Sequence, residues 1–398
     1  MKLIVERGFK LSTLVLRHCE IVAPSVVIRD GYVVVENGII RRVGKEPFTG
    51  SADESMNLEG QLLLPGFIDT HTHGIRGLDI TVNPEPGVLL EMASHYARHG
   101  VTGFLATTVS APHDVLLRVC KAFREAKDSW KPSHGARLLG LHLEGPYISP
   151  EMPGAMNPLF IRRPSVQELR EYIEASGGGI RQITVAPEVE GVDELIAYAW
   201  LNNMVVSAGH TNASYEVGLE KIAMGVSKAT HVFNAMRGLH HREPGIALSL
   251  LQARGVFVEL IADFIHLHPA VVKMVIDYAS PDRVVLVTDS TAATDMPDGV
   301  YELGGVKIRV EKGVCKLVGA DKLAGSTLTM DRAVRNVVGL GYSLVDVAKM
   351  ASLTPAKSIE LDIRMGDVRP GYRADLVVLD KELRVLKTIV DGVVVYER

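Results

Sequence analysis

Cysteine is scarce in these 398 residues: Cys19, Cys120 and Cys315 stand far apart, and no CxxC pair occurs. An odd number at such spacing excludes a disulfide framework and a thiolate zinc site, and it fits a reducing compartment. Long apolar runs are missing as well. The strand-like start is broken by Glu6, Arg7 and Lys10, and no stretch approaches the ~20 residues that span a bilayer, so the sequence reads as a soluble, cytoplasmic protein with no membrane partner. Positive charge is not in excess. With 43 basic residues against 47 acidic ones, a formal net charge of −4 leaves no electrostatic footprint for nucleic acid. Repeats and low-complexity tracts are absent, and 47% hydrophobic with 23% charged residues excludes a disordered, collagen-like or coiled-coil chain.

What is present divides into two styles. Both ends carry short β-branched runs with turn residues between them: TLVLRHCEIV, then SVVIRDGYVVVENGIIRRVG, and at the other end ADLVVLDKELRVLKTIVDGVVVYE. Asp30-Gly31, Asn37-Gly38 and Asp391-Gly392 read as hairpin turns. Two or three strands alone cannot bury a core, so residues 1–64 and 365–398 are expected to complete one small β-sandwich together. Between them, residues 65–364 alternate apolar strands with amphipathic stretches, the pattern of βα units around a parallel sheet. Eight candidate strands can be counted, at 65–71, 101–108, 137–144, 180–187, 204–210, 227–231, 256–263 and 283–289. Eight closes a TIM-type (β/α)8 barrel, with helices expected at 88–98, 113–126, 166–175, 192–202, 214–224, 246–253 and 269–278.

Barrel enzymes place their chemistry at the C-terminal ends of the strands, where the βα loops converge. Here those ends carry His71 and His73, Thr107 and Thr108, Glu144, Glu188, His210, His231, Asp263 with His266, and Asp289. His71 and His73 are two apart on extended chain, so both rings leave one face and can share a cation, although an isolated HxH is as often a pair of loop histidines. Glu144 closes an apolar strand, where a carboxylate is costly unless it is paired or metal-bound; a rim salt bridge is its plainer reading. His142, on the same strand, reads as a residue behind the ligands. His210 and His231 should stand on neighbouring strands with their rings converging. Asp289 either caps the next segment or takes a proton from an attacking water and passes it to a leaving amine. The set points to metal-assisted hydrolysis.

These residues resemble a known family. PGFIDTHTHG after a β-rich start is similar to the amidohydrolase superfamily, and the N-acetylglucosamine-6-phosphate deacetylases within it are matched by GLHLEGPYIS, GAMNP, AGHTNASY, ATHVFNAM with REPG, IADFIHLHP, LVTDST with PDG, and LAGSTLTM, in family order over nearly the whole chain. The resemblance implies a principal metal site at Glu144, His210 and His231, and acid/base work at Asp289. It also implies substrate contacts at Ala155, Met156, Asn234, Ala235, Arg242, Asp263, His266, Leu323, Ala324 and Gly325. Arg242 is expected to reach the site of a partner subunit, which implies a homodimer. Zinc is the first choice of metal, with iron, manganese or cobalt as alternatives. The expected reaction releases acetate from N-acetyl-D-glucosamine 6-phosphate.

Some positions depart from the family. Met156 stands where a histidine is common, and Phe264 stands where a glycine is usual, so its ring is expected to narrow the sugar pocket. AATDMPDG differs from the usual glycine-containing loop. His71 and His73, which some members replace with amides, are retained, so one ion per subunit or two remain open. Competing readings are a galactosamine-phosphate deacetylase, another small-amide hydrolase, or a barrel that binds amino sugars without catalysis. Many other amidohydrolases bridge two metals with a carboxylated lysine, whereas Glu144 fills that role here. A pure sensor needs no proton shuttle at Asp289.

Overall fold

The computed structural model describes residues 13–398; the expected strand-like start over 1–12 lies outside them. Eight strands run parallel in a ring: Phe67–Thr72, Val101–Thr108, Arg137–Glu144, Ile180–Val185, Val205–Ala208, Val226–Ala229, Phe257–Ile261 and Val284–Val287, each paired with the next. A parallel bridge from Thr72 to Ser290 closes the ring. Helices cover the outside of the ring, so these strands are buried along almost their whole length, which is why they read as continuous apolar runs. The seven expected helices are present with ends moved by at most three residues. Ser165 and Ser214 cap two of them, each accepting the backbone N–H three residues on.

Strands from both chain ends share one further sheet. Leu62–Pro65 pairs antiparallel with Leu376–Leu379 on one side and parallel with Thr13–Ala23 on the other, which joins early and late strands of the chain in one sheet. The sheet curls until the edge strand Ile39–Lys45 reaches the segment that leads into Leu376–Leu379: Ala374 N–H donates to Gly38 O at 2.8 Å. Leu16, Ile21, Val33, Leu63, Leu376 and Ile389 fill the core it encloses. Asn37-Gly38 and Asp391-Gly392 are two-residue turns with positive φ at both positions, the geometry that matches strand twist. Asp30-Gly31 is not a turn. It lies inside the strand Val26–Glu36, at an irregularity where a Cβ on Gly31 would sit 2.6 Å from Ile21 Cδ1, so the dipeptide marks a bulge.

Of the elements with no counterpart in the sequence reading, two bear on the barrel mouth. After the eighth strand the chain forms a three-stranded antiparallel sheet, Gly299–Leu303, Val306–Glu311 and Val314–Leu317. Its signals were Gly304-Gly305 and Lys312-Gly313, both with positive φ, inside the alternating run VKIRVE. Leu303, Ile308, Val310 and Cys315 pack it onto Val109 and Met156, so it roofs one side of the barrel mouth. The eighth barrel helix, Met330–Gly339, follows and buries Met330, Ala333, Val334 and Val337 at helical spacing.

One polar clamp holds the approach to that roof. His99 bonds Asp295, in the loop leading into the roof sheet, at 3.0 Å, and Asp331, in the first turn of the eighth helix, at 3.1 Å. Burial works against a charged His99, but the two carboxylates push its pKa up to about 9. A histidine that normally titrates near 6.5 then adds stability that is complete below that pH and is lost as pH climbs through about 9. The wild-type melting temperature should therefore fall between pH 6.5 and 9 more steeply than that of His99→Asn. Parallel melting curves for the two proteins would refute the clamp.

Candidate functional site

Three side chains reach the barrel mouth through unusual backbone. His210, His231 and Asp289 stand just past the fifth, sixth and eighth strands with φ of +50°, +30° and +50°, a left-handed geometry that residues other than glycine adopt at a cost of about 1–2 kcal/mol. Each kink turns a side chain from the barrel wall across its opening. Strain stored at three strand ends around one mouth is a mark of a functional site.

The side chains meet around Glu144, at the end of the third strand and almost fully buried. Its Oε1 lies 2.9 Å from His231 Nε2, 3.2 Å from His210 Nε2 and 3.4 Å from His71 Nε2, and its Oε2 lies 3.2 Å from His73 Nε2. Asp289 Oδ1 is 3.1 Å from His73 Nε2 and 3.5 Å from His71 Nε2. Six groups from five strands thus face one point.

The far nitrogens of these rings decide what the near ones can do. His71 Nδ1 faces Glu259 Oε2 at 2.9 Å, His210 Nδ1 faces Met152 O at 3.1 Å, and His73 Nδ1 faces Thr107 O at 3.3 Å. Oxygen atoms of this kind only accept, so each Nδ1 carries a proton, which leaves each Nε2 as the nitrogen that can offer a lone pair to a cation beside Glu144. His71 Nε2 has no hydrogen-bond partner among the described residues. Nε2 of His210 and His231 are 3.2 Å apart, close to the ~3.3 Å that two nitrogens keep when they share a tetrahedral cation at ~2.0–2.1 Å. Such a cluster of lone pairs and carboxylates demands positive charge.

The electrostatics agree. Burial resists a charged Glu144, yet the imidazoles of His71 and His210 hold its carboxyl well below the usual range. Asp289 is also lowered against its burial, chiefly by His73. His73 itself is pushed up to about 9 by Asp289 and Glu144, although burial opposes its charge. Glu144 with His210 and His231, and Glu144 with His71 and His73, are both donor sets that could hold a metal ion. Two imidazoles and a carboxylate suit zinc, iron, manganese or cobalt, so the residues fit a divalent cation.

A cavity of about 340 Å³ opens above this cluster. Of the residues singled out as substrate contacts, Ala155, Met156, Asn234, Ala235, His266, Leu323 and Gly325 line it. Asp263 stands behind His266 and bonds its Nδ1 at 2.7 Å, while accepting the backbone N–H of Ile265 and His266. Burial disfavours charge on both partners, but each stabilises the other's ion: Asp263 is lowered and His266 raised. Ala324 is buried under the roof sheet instead. Arg242 lies on a different surface depression, against His241 Nε2 at 2.6 Å, and does not line the cavity of its own chain. Phe264 does not narrow the pocket as expected. With φ of +65° its ring packs onto the main barrel core, away from the cavity lining.

Other strand-end residues serve the walls. Glu188 turns to the loop after the fifth strand, bonding Thr211 and the backbone of Asn212. Thr107 Oγ1 accepts Thr72 N–H, and Thr108 is buried beside it. His142 is buried behind His71 and bonds Thr184 Oγ1 at 2.7 Å; burial, with His71 nearby, holds its pKa well below the ordinary value and keeps it neutral. The sequence reading missed Glu259, Gln182 and Lys228, since polar residues inside strands carry no strand-end signal. It also missed Leu303, Asp321 and Lys322, which the roof brings to the cavity. Gly154 lets the loop over the site pass: a Cβ there would sit 2.6 Å from His210 Cε1, and φ is +58°.

The sequence profile of the Amidohydrolase family matches residues 62–395. An N-acetylgalactosamine-6-phosphate deacetylase from Escherichia coli O157:H7 is 37% identical over 381 residues, covering 96% of this chain and 98% of the relative. An N-acetylglucosamine-6-phosphate deacetylase from Bacillus subtilis is 36% identical, covering 96% of each. Among solved structures, the N-acetyl-D-glucosamine-6-phosphate deacetylase of Mycobacterium smegmatis, in complex with N-acetyl-D-glucosamine-6-phosphate, superposes with a TM-score of 0.89 at 32% identity over 97% of this chain and 99% of that one. The chain belongs to the amidohydrolase family, among the deacetylases of phosphorylated amino sugars.

Proposed function

We propose that this protein hydrolyses the acetamide of N-acetyl-D-glucosamine 6-phosphate, giving D-glucosamine 6-phosphate and acetate. The observation that carries the reading is the convergence of four imidazole Nε2 atoms on Glu144 at the floor of the cavity, with Asp289 against two of them. The Bacillus subtilis relative supports the gluco sugar, and the Escherichia coli relative favours a second reading, the galacto epimer. Metal-replete enzyme offered both 6-phosphates, the unphosphorylated sugar and a cyclic amide, with released acetate or ring opening measured, decides among them. No acetate from either phosphate would refute the function.

In this reading Glu144, His210 and His231 hold the main cation, and His71 and His73 face a second position. A divalent ion there supplies Lewis acidity, polarising the amide carbonyl and making water easier to deprotonate. Asp289 takes the proton of the attacking water as its oxygen bonds the carbonyl carbon. It then delivers that proton to the amide nitrogen as the C–N bond breaks, so that the amine leaves neutral. Its depressed pKa keeps it able to accept at neutral pH. Met156 and the segment Leu323 to Gly325 enclose the sugar, with Asn234 and Ala235 along its edge. His266, charged beside Asp263, meets the 6-phosphate, and Arg242 of a second subunit completes that grip in a homodimer. Zinc is the ion we assign first. No helix among the described residues is long and apolar enough to cross a membrane, and a cytoplasmic location accords with the substrate.

Replacing His210 or His231 with alanine removes a nitrogen ligand and should lower bound metal and turnover together. Full metal content with full activity in His210→Ala would sink the assignment. Asp289→Asn should retain metal while kcat falls by roughly 10²-fold or more, because an amide cannot accept the proton; near-normal kcat, with deamidation ruled out, would transfer the role elsewhere. Charge-assisted bonds to a phosphate are worth about 1.5–3 kcal/mol, so Arg242→Ala should cut kcat/KM for the 6-phosphate by roughly 10–100-fold and spare the slow reaction of the unphosphorylated sugar. Mixing Arg242→Ala chains with Asp289→Asn chains should restore activity in hybrid dimers. No recovery in verified hybrids would place Arg242 outside the neighbouring site.

A further inference from the structure

Beneath the imidazoles lies a set of buried charged groups that the proposed chemistry does not use. Glu259, on the seventh barrel strand, and Lys228, on the sixth, are both fully buried, with Nζ 3.0 Å from Oε1. Lys228 also donates to Thr70 Oγ1 at 2.9 Å and Gln182 Oε1 at 2.8 Å. Glu259 accepts Gln182 Nε2–H at 2.9 Å, His71 Nδ1–H at 2.9 Å and the backbone N–H of His231 at 3.3 Å. A buried ion pair of this kind is weak evidence for stability, because apolar residues of similar volume often do as well. Its retention calls for another reason.

His71, His142 and Glu259 themselves form a trio with ligand spacing. That trio is not a metal site of its own, since Lys228 already places a positive charge against the same carboxylate. What Glu259 does touch is informative: the ring of one proposed metal ligand and the backbone of another, on strands one and six. A carboxylate can only accept, so His71, when it carries a single proton as a metal ligand must, keeps that proton on Nδ1 and its lone pair on Nε2. With the opposite tautomer, His71 would aim an N–H at Glu144, and the ring would be lost as a ligand.

We propose that Glu259, anchored by Lys228 and Gln182, is the positioning residue that commits His71 Nε2 to a second divalent ion, held by His71, His73 and Glu144. The inference rests on the reading of Glu144 as the metal centre and adds what selects two ions over one. Outer carboxylates behind a ligating histidine typically change metal affinity by about 10–100-fold.

The test is zinc and cobalt stoichiometry and affinity, measured by equilibrium dialysis with elemental analysis on full-length chains whose fold is checked by circular dichroism. Wild type should bind two ions. Glu259→Gln paired with Lys228→Met, which removes both buried charges together, should weaken one ion by at least ~10-fold and leave the other unchanged. The ion affected should be the one missing in His71→Ala, and in the His71→Ala background the paired change should have no further effect, a coupling that a purely structural role would not produce. Should the paired variant fail to fold, Glu259→Asp keeps the charge but shortens its reach to His71, and the same selective loss is expected. Two ions bound with wild-type affinity in a folded variant, or an equal loss with His71 already removed, would overturn the proposal. A wild-type chain that binds one ion overturns it while leaving the proposed function intact, and one that binds none overturns both.

Discussion

A carboxylate sealed from water governs this structure. Glu144 is 1% exposed, and isolating such a charge from solvent costs several kcal/mol unless positive charge or hydrogen bonds replace the lost hydration. Four rings, with the cation they could hold, supply the replacement, and they must arrive from several directions. A closed ring of parallel strands is well suited to that demand, because its strand ends point at one mouth from all sides. The left-handed kinks at His210, His231 and Asp289 complete the convergence.

The same requirement repeats one layer down. Glu259 is as deeply buried, and Lys228, Gln182 and His71 answer its charge. The interior of the barrel is therefore packed apolar at one level and wired at another, with Glu259, Lys228 and Gln182 finding partners on strands far apart in sequence. His71 belongs to both layers, joined to Glu259 by one nitrogen and facing Glu144 with the other. A change in either carboxylate is felt at that ring.

Above the mouth, enclosure of the cavity passes to the roof sheet and the loops. The roof sheet packs through Leu303, Ile308 and Val310, and the loop that leads into it is pinned by His99 to Asp295 and Asp331. The catalytic floor is built from strands and the enclosing wall from loops and a hairpin. That division lets one scaffold keep its chemistry while pocket shape varies.

Much of this was legible in the sequence. Apolar runs alternating with amphipathic stretches pointed to the barrel, because burial on both faces leaves a strand few polar positions to show. The rule that strand ends carry chemistry located His71, His73, Glu144, His210, His231 and Asp289, since a polar residue closing an apolar run is conspicuous. Where the signal was local it also misled: Asp30-Gly31 has turn composition but sits at a bulge, and Phe264 looked like a pocket residue but packs on the core. Composition cannot say which way a side chain leaves a kinked backbone. Nor could it pair Glu259 with Lys228 and His71, 31 and 188 positions away, or set His99 between Asp295 and Asp331. The sequence by itself determined which residue types sit at each strand end, a property of local pattern. Only the tertiary structure decided which nitrogen of His71, His73 and His210 faces Glu144, because that choice depends on acceptors, Glu259, Thr107 O and Met152 O, that distant segments deliver.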